Sequence, residues 1–164
     1  VLSLIRESAT EAQEAMSDII WSITPEHDQW ETLLPRLRRF VSDLCESKGI
    51  RYSIQMPESI AHASLTMERR RDFWLVFKEM VTNAVRHSEC SEVAIVLAVK
   101  NSQLHLSVED NGKGFDPTKP TERNGVKNIY QRSAVLKGEA RLTTAPGKGT
   151  RWDLTIPLRD YMNT

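Results

Sequence analysis

Apolar residues recur along the first part of the chain at alternating intervals of three and four: Leu2, Ile5, Ala9, Ala12, Met16, Ile19 and Ile23. This heptad-like stripe predicts a helix suited to a bundle or coiled-coil seam. Thr24-Pro25 interrupts it, because the residue before a proline is pushed out of helical torsions. A second helix is predicted over Trp30, Leu33, Leu34, Leu37, Phe40, Val41 and Leu44, stopping near Lys48-Gly49. Arg51 to Met56 alternates as a strand, and Pro57 ends it; residues 58–65 read as a connection.

A third helix is predicted from Thr66 to about Ser88, with Thr66 as N-cap and Glu68 in the first turn. Phe73, Phe77, Met80, Val81 and Ala84 form its apolar face. Val93, Ile95, Leu97 and Val99 then alternate with Ala94, Val96 and Ala98. After a turn at residues 100–103, Leu104, Leu106 and Val108 resume the alternation opposite His105, Ser107 and Glu109. Residues 116–123 are polar, contain Pro117 and Pro120, and read as a mobile loop. A fourth helix is predicted over Lys127 to Lys137, with Gly138 as its stop. Strands over Ala140–Thr144 and Arg151–Ile156 follow, joined through Pro146-Gly147-Lys148-Gly149, with Trp152, Leu154 and Ile156 on the inner face. The pattern predicts an α+β fold: a mixed sheet with helices on one face, a two-layer α/β sandwich. A helical stem (residues 1–48), read as dimerising, precedes it, and the sandwich spans residues 49–164; the alternative is that both helices simply pack onto the sandwich.

Composition narrows the function classes. Lysine plus arginine and aspartate plus glutamate both total 22 among 164 residues. Zero net charge argues against a dedicated nucleic-acid binder. The sequence contains no apolar run long enough to cross a bilayer. Cys45 and Cys90 have no metal-ligand spacing and read as free thiols of a reducing compartment. The chain starts at Val1, already inside an apolar pattern. It is expected to be a piece of a longer cytoplasmic region, with any membrane contact made by other parts of the parent protein.

Two features carry chemistry. Glu79, Asn83 and His87 step four residues at a time and so form a row beside the apolar face of the third helix. A carboxylate, an amide and an imidazole in that position fit a site lined by helix side chains; a solvated helix edge would look similar. Asp110, by period two, points to the same side as Leu104, Leu106 and Val108. A carboxylate there is costly unless something satisfies it. With Gly112 and Gly114 following, it reads as a buried acceptor in a site; the plainer alternative is a strand-end aspartate serving a turn.

The segments Lys78–His87, Asp110–Asp116, Gly125–Ile129 and Pro146–Thr150, in this order, resemble the N, G1 and G2 boxes and the late glycine turn of one ATPase superfamily. It is shared by gyrase and the sensor histidine kinases (the Bergerat fold), and the resemblance covers Arg51 to Leu158. Met16–Pro25 and Leu37-Arg38-Arg39-Phe40 are similar to the end of the dimerisation and phosphotransfer region in the subgroup related to the nitrate and membrane-fluidity sensors.

The resemblance implies that ATP lies between the central helix, the G1 turn and the loop. Asp110 would accept the adenine amino proton and so discriminate against guanine. Gly112 and Gly114 would allow close approach and positive φ. Asn83 would place its amide oxygen on Mg²⁺. Glu79 would reach a metal-bound water or orient the nucleophile, making Glu79 and Asn83 the catalytic pair. Arg86 and His87 would lie toward the phosphates, and Gly125 and Asn128 would sit at the helix start around them. Gly147, Gly149 and Thr150 match the late turn.

The implied reaction is transfer of the γ-phosphoryl group from Mg-ATP to a stem histidine, then to an aspartate of a response regulator, by a homodimer joined through the stem. It would proceed mainly by positioning and charge neutralisation. The acceptor histidine is expected upstream of Val1, because His27 follows Pro25 in or near a turn. One position departs from the pattern: Arg123 stands where the family has another glycine two residues before Gly125. An anti-sigma-factor-type serine kinase and a non-catalytic nucleotide-sensing module are the alternatives within this fold. No Walker-type phosphate loop is present.

Overall fold

In the computed structural model the described residues are 1–23, 30–58, 60, 66–120 and 124–158. The expectations for His27 and Arg123 fall outside them. The elements run α1 (Leu2–Ile23), α2 (Trp30–Lys48), β1 (Arg51–Gln55), α3 (Met67–His87), β2 (Glu92–Lys100), β3 (Gln103–Asp110), α4 (Gly125–Val135), β4 (Glu139–Thr144) and β5 (Thr150–Pro157). The sheet order is β1-β2-β3-β5-β4. β1 pairs parallel with β2, and the other pairs are antiparallel. A parallel pair needs a long crossover, and α3 lies within it. The fold is α+β with a mixed sheet, as the alternation predicts.

The inner sheet face is the apolar set of each strand: Val93, Ile95 and Leu97 of β2, Leu104, Leu106 and Val108 of β3, and Trp152, Leu154 and Ile156 of β5. α3 lays Phe73, Phe77, Met80, Val81 and Ala84 on it, all buried. Thr66 caps α3, its hydroxyl accepting the Arg69 N–H at 3.3 Å. The buried Arg69 guanidinium donates to the carbonyls of Leu136 and Pro157, at 3.2 and 2.8 Å. It thereby ties the start of α3 to the ends of α4 and β5. α4 turns at Lys137, which takes φ 54° in place of the glycine expected to do so. Gly138 instead lets the chain approach the Thr155 carbonyl.

The sequence grouped α2 with the stem, but its apolar side packs on α3. Trp30, Leu33, Leu34, Leu37, Val41 and Cys45 are buried in the same core as the sheet. Trp30 meets Phe73 edge-on at 5.6 Å, and Phe40 meets Trp74 at 5.3 Å. α1 is different: Leu2, Leu4, Ile5 and Met16 are exposed. Its C-terminal end meets the body through Asp18, which pairs with Arg36 of α2 at 2.5 Å and Lys78 of α3 at 2.9 Å. Trp21 lies against Trp74, and Arg36 sits over both rings at 4.6 and 4.7 Å.

Candidate functional site

A cavity of about 380 Å³ opens between α3, the end of β3, residues 113–120, the start of α4 and the start of β5. Met80, Ala84, Val108, Val126 and Trp152 supply apolar lining, and Asn83, His87, Asp110, Lys113, Lys119 and Thr150 supply polar lining. This mixture suits a ligand with a flat apolar part and a charged part.

Asp110 sits at the inner end, 6% exposed. Burial pushes its carboxyl above the ordinary range. Hydrogen bonds from the Gly112 N–H, the Ser88 hydroxyl and the Thr150 N–H partly offset that. The Gly112 N–H donates to Oδ1 at 2.8 Å. Ser88 has one hydroxyl hydrogen and a second acceptor, the Ala84 carbonyl at 2.5 Å. An ionised carboxylate competes better for it than a carbonyl does.

The turn after Asp110 is stitched to its neighbours by backbone bonds, Lys113 N–H to the Ser88 carbonyl at 2.7 Å and Gly147 N–H to the Lys113 carbonyl at 2.6 Å. Gly112 and Gly114 serve this packing in different ways. Gly114 takes φ 59°, as expected. Gly112 does not take positive φ; it is required because a Cβ would overlap the Ser88 carbonyl. Gly149 is buried with its Cα against the Asp110 carbonyl.

At the other end, the row on α3 meets the start of α4. A Cβ on Gly125 would overlap Glu79 Oε1 and stand 3.0 and 3.1 Å from Asn83 Nδ2 and Oδ1. Asn83 and Gly125 line the cavity. Glu79 faces a second, larger groove shared with Asp18, Arg36, Lys78, Arg86, Asn128 and Arg132. Glu79, Asn83 and Gly125 are therefore the wall between the two.

Of the residues read from sequence, Asn83, His87, Asp110, Gly114, Gly125 and Thr150 line one cavity, with Gly112 and Gly149 shaping its inner end. Glu79, Arg86 and Asn128 line the neighbouring groove instead. Gly147 is exposed in the hairpin, with no atom within 4 Å of where its Cβ would be. Sequence reasoning missed Ser88, Lys113, Phe115 and Lys119 as neighbours of the site. The first carried no periodic signal; the others lie within the polar stretch 113–119 and could have been marked as its basic and aromatic members.

The fold is a two-layer α+β domain with a cavity of mixed polarity beside its central helix. The profile of the family described as histidine kinase-, DNA gyrase B-, and HSP90-like ATPase matches residues 68–160, and the chain belongs to that family. ATP binding comes with membership.

Relatives come from its histidine-kinase branch. Sensor histidine kinase ComP of Bacillus subtilis is 30% identical over 165 residues, covering 94% of this chain and 21% of that protein. Sensor histidine kinase LiaS of the same organism is 28% identical over 160 residues, covering 96% and 43%. The chain thus spans less than half the length of these relatives. Among solved structures, the histidine kinase domain of the Erythrobacter litoralis EL346 blue-light activated histidine kinase superposes with a TM-score of 0.70 at 20% identity. That match covers 95% of this chain and 83% of that one. The Acinetobacter baumannii histidine kinase AdeS gives 0.67 at 13% identity, covering 97% and 84%. At these identities the structures speak for the fold.

Proposed function

We propose that this chain is the catalytic ATP-binding part of a two-component sensor histidine kinase. In this reading it delivers the γ-phosphoryl group of ATP to a histidine on a helical stem, and from there to an aspartate of a response regulator. The observation that carries this reading is the polarity of the cavity. A buried carboxylate acceptor, Asp110, stands at one end, and the Asn83, Glu79 and Gly125 wall stands at the other. Adenine belongs at the first end and the phosphates at the second, where N–H groups at the start of α4 favour an anion. Lys113 and Lys119 add positive charge to the lining.

Asn83 and Glu79 offer two oxygen donors at one point, and no cluster of three or more His, Cys, Asp or Glu side chains suited to a metal exists among the described residues. That donor set fits Mg²⁺, a hard cation that keeps several waters and takes its other ligands from phosphate. Asn83 would hold it through Oδ1, with Glu79 alongside; when bound, the ion neutralises phosphate charge. Glu79 is poised to receive or orient the proton of an incoming nucleophile from the groove it faces. His87 lines the cavity one turn beyond Asn83, next to Ser88 at the Asp110 end, and the exposed Arg86 lines the groove.

We take α1 as the stem and infer that the catalytic unit begins at Trp30, since α2 shares its core with the sheet. The exposed stripe of α1 supports homodimerisation through the stem. No helix among the described residues is long and apolar enough to cross a membrane; a cytoplasmic site of action follows from the ATP and response-regulator chemistry.

The test is to incubate the chain with Mg-[γ-³²P]ATP and a separately supplied stem bearing the acceptor histidine. Acid-labile, base-stable label on that histidine is expected. Acid-stable label on serine would favour the serine-kinase alternative, and nucleotide binding without transfer the sensing module.

A further inference from the structure

Asp18, near the end of α1, holds two cations at once, one on each carboxylate oxygen. Oδ1 accepts from Arg36 of α2 at 2.5 Å, and Oδ2 accepts from Lys78 of α3 at 2.9 Å. All three side chains line the groove that Glu79 faces. Of the other cations lining it, Arg39 is paired with Asp43, Arg132 is paired with Asp72, and Arg86 is exposed. Glu79 has no ion-pair partner among the described residues. Asp18 therefore takes the two half-buried cations of the groove and leaves the carboxylate of the wall unpaired. It lies outside residues 68–160, the part of the chain that the ATPase family profile matches.

The two cations are not held alike. Arg36 lies over the Trp21 and Trp74 rings at 4.6 and 4.7 Å, a contact that keeps a guanidinium in place without a carboxylate. Lys78 is held by Asp18, and it directly precedes Glu79 on α3. Successive helix residues do not face each other, but the four-carbon stem of lysine is flexible. Without Asp18, the Lys78 ammonium is free to turn along the groove to Glu79. A Glu79 so paired has an oxygen occupied and its charged form favoured, and it is a poorer acceptor for the proton of a nucleophile. We propose that Asp18 is a positioning residue for phosphoryl transfer: by drawing Lys78 to α1 it keeps the Glu79 carboxylate open to the groove. The inference rests on the kinase reading above and adds to it a residue that acts through Lys78 and touches neither nucleotide nor acceptor.

The experiment measures kcat and KM for transfer from Mg-ATP to a separately supplied stem bearing the acceptor histidine, beside ATP affinity by calorimetry. Asp18→Asn should lower kcat by about tenfold or more, the lower part of what a general base contributes, with KM and ATP affinity near the parent's. Asp18→Glu, which keeps a carboxylate for Lys78, should restore kcat. Asp18→Asn combined with Lys78→Met should recover most of the loss, because no ammonium is left to reach Glu79. A role in merely seating α1 predicts the reverse, since the double variant has lost both partners of the contact. Lys78→Met alone should keep the parent kcat, and it decides the matter if Asp18→Asn fails to fold. A double variant as slow as Asp18→Asn, or a Lys78→Met variant that is itself slow, would overturn the inference while the kinase reading stands. A parent chain that binds Mg-ATP but labels no histidine removes the kinase reading and this inference with it.

Discussion

Replacing Asp110 by asparagine separates binding from folding, because the two should move in opposite directions. In the unliganded chain the carboxylate is buried and its pKa lies above its ordinary value of 3.8. A raised acid binds its proton more tightly folded than unfolded. Stability therefore falls as pH rises from the ordinary value through the raised one, and at neutral pH that cost is fully present. Asparagine carries no such cost and keeps an oxygen for the Gly112 N–H at 2.8 Å, so the melting temperature should hold or rise. Binding should suffer on two counts. A hydrogen bond to a charged acceptor contributes about 1.5–3 kcal/mol against about 1 for a neutral one. In addition, with its oxygen turned to Gly112, the amide points N–H bonds at the ligand's own donors. A loss of at least about 1.4 kcal/mol, tenfold in Kd, is expected. Calorimetric titration of Mg-ATP at neutral pH, beside thermal melts of both apo proteins, measures each arm. In the parent, ATP affinity should also fall with acidification at a pH above that of an ordinary aspartate. Unchanged ATP affinity would remove Asp110 from the base site; a parallel drop in affinity and melting temperature would make it a fold residue.

Other substitutions test the wall and the stem. Gly125→Ala should raise or preserve stability, since alanine is the better helix former by up to about 1 kcal/mol. It should still weaken Mg-ATP binding, because the new methyl displaces Glu79 and Asn83; a titration with unchanged affinity contradicts that geometry. Asn83→Ala should abolish most of the difference between ATP affinities measured with Mg²⁺ and with EDTA, while the metal-free value stays near the parent's. Ile5→Asp with Met16→Asp should shift any dimer to monomer in sedimentation velocity with ATP binding intact; a parent already monomeric at high concentration removes the stem as the dimer contact.

The inner half of the site was legible because its signals are periodic. Asp110 falls on the apolar parity of β3, and parity alone says that it is buried; it is 6% exposed. The Glu79–Asn83 row was legible for the same reason, but not that one helix row serves two cavities. Only the approach of Gly125 shows that Glu79 and Asn83 together make the wall between the two. Ser88 was invisible because its role depends on which turn comes to lie beside it. Which of the first two helices packs on the sheet was not legible for a related reason. α2 has an apolar stripe as regular as that of α1, and periodicity reports that a face is buried without saying against what.

The partner of each face of α1 can be argued from angle. At about 100° per residue, Asp18 and Trp21 lie on the side of the helix roughly opposite the stripe through Leu2, Ile5, Ala9, Ala12 and Met16. The docked side is polar and aromatic: one carboxylate, with its side chain 12% exposed, held by Arg36 and Lys78, and one indole under Arg36 and beside Trp74. The stripe stays exposed at Ile5 and Met16. A helix stabilised by docking alone would turn its apolar side inward, because apolar burial supplies the larger free energy. Here the apolar side is left outward and the contact with the body is made by ion pairs and a ring. That allocation is the one expected of a stem whose apolar side belongs to a second copy. The docked side has another consequence. Lys78 is the residue before Glu79, so the ion pair that seats α1 is attached to the same turn of α3 that forms the wall of the cavity proposed to take the nucleotide.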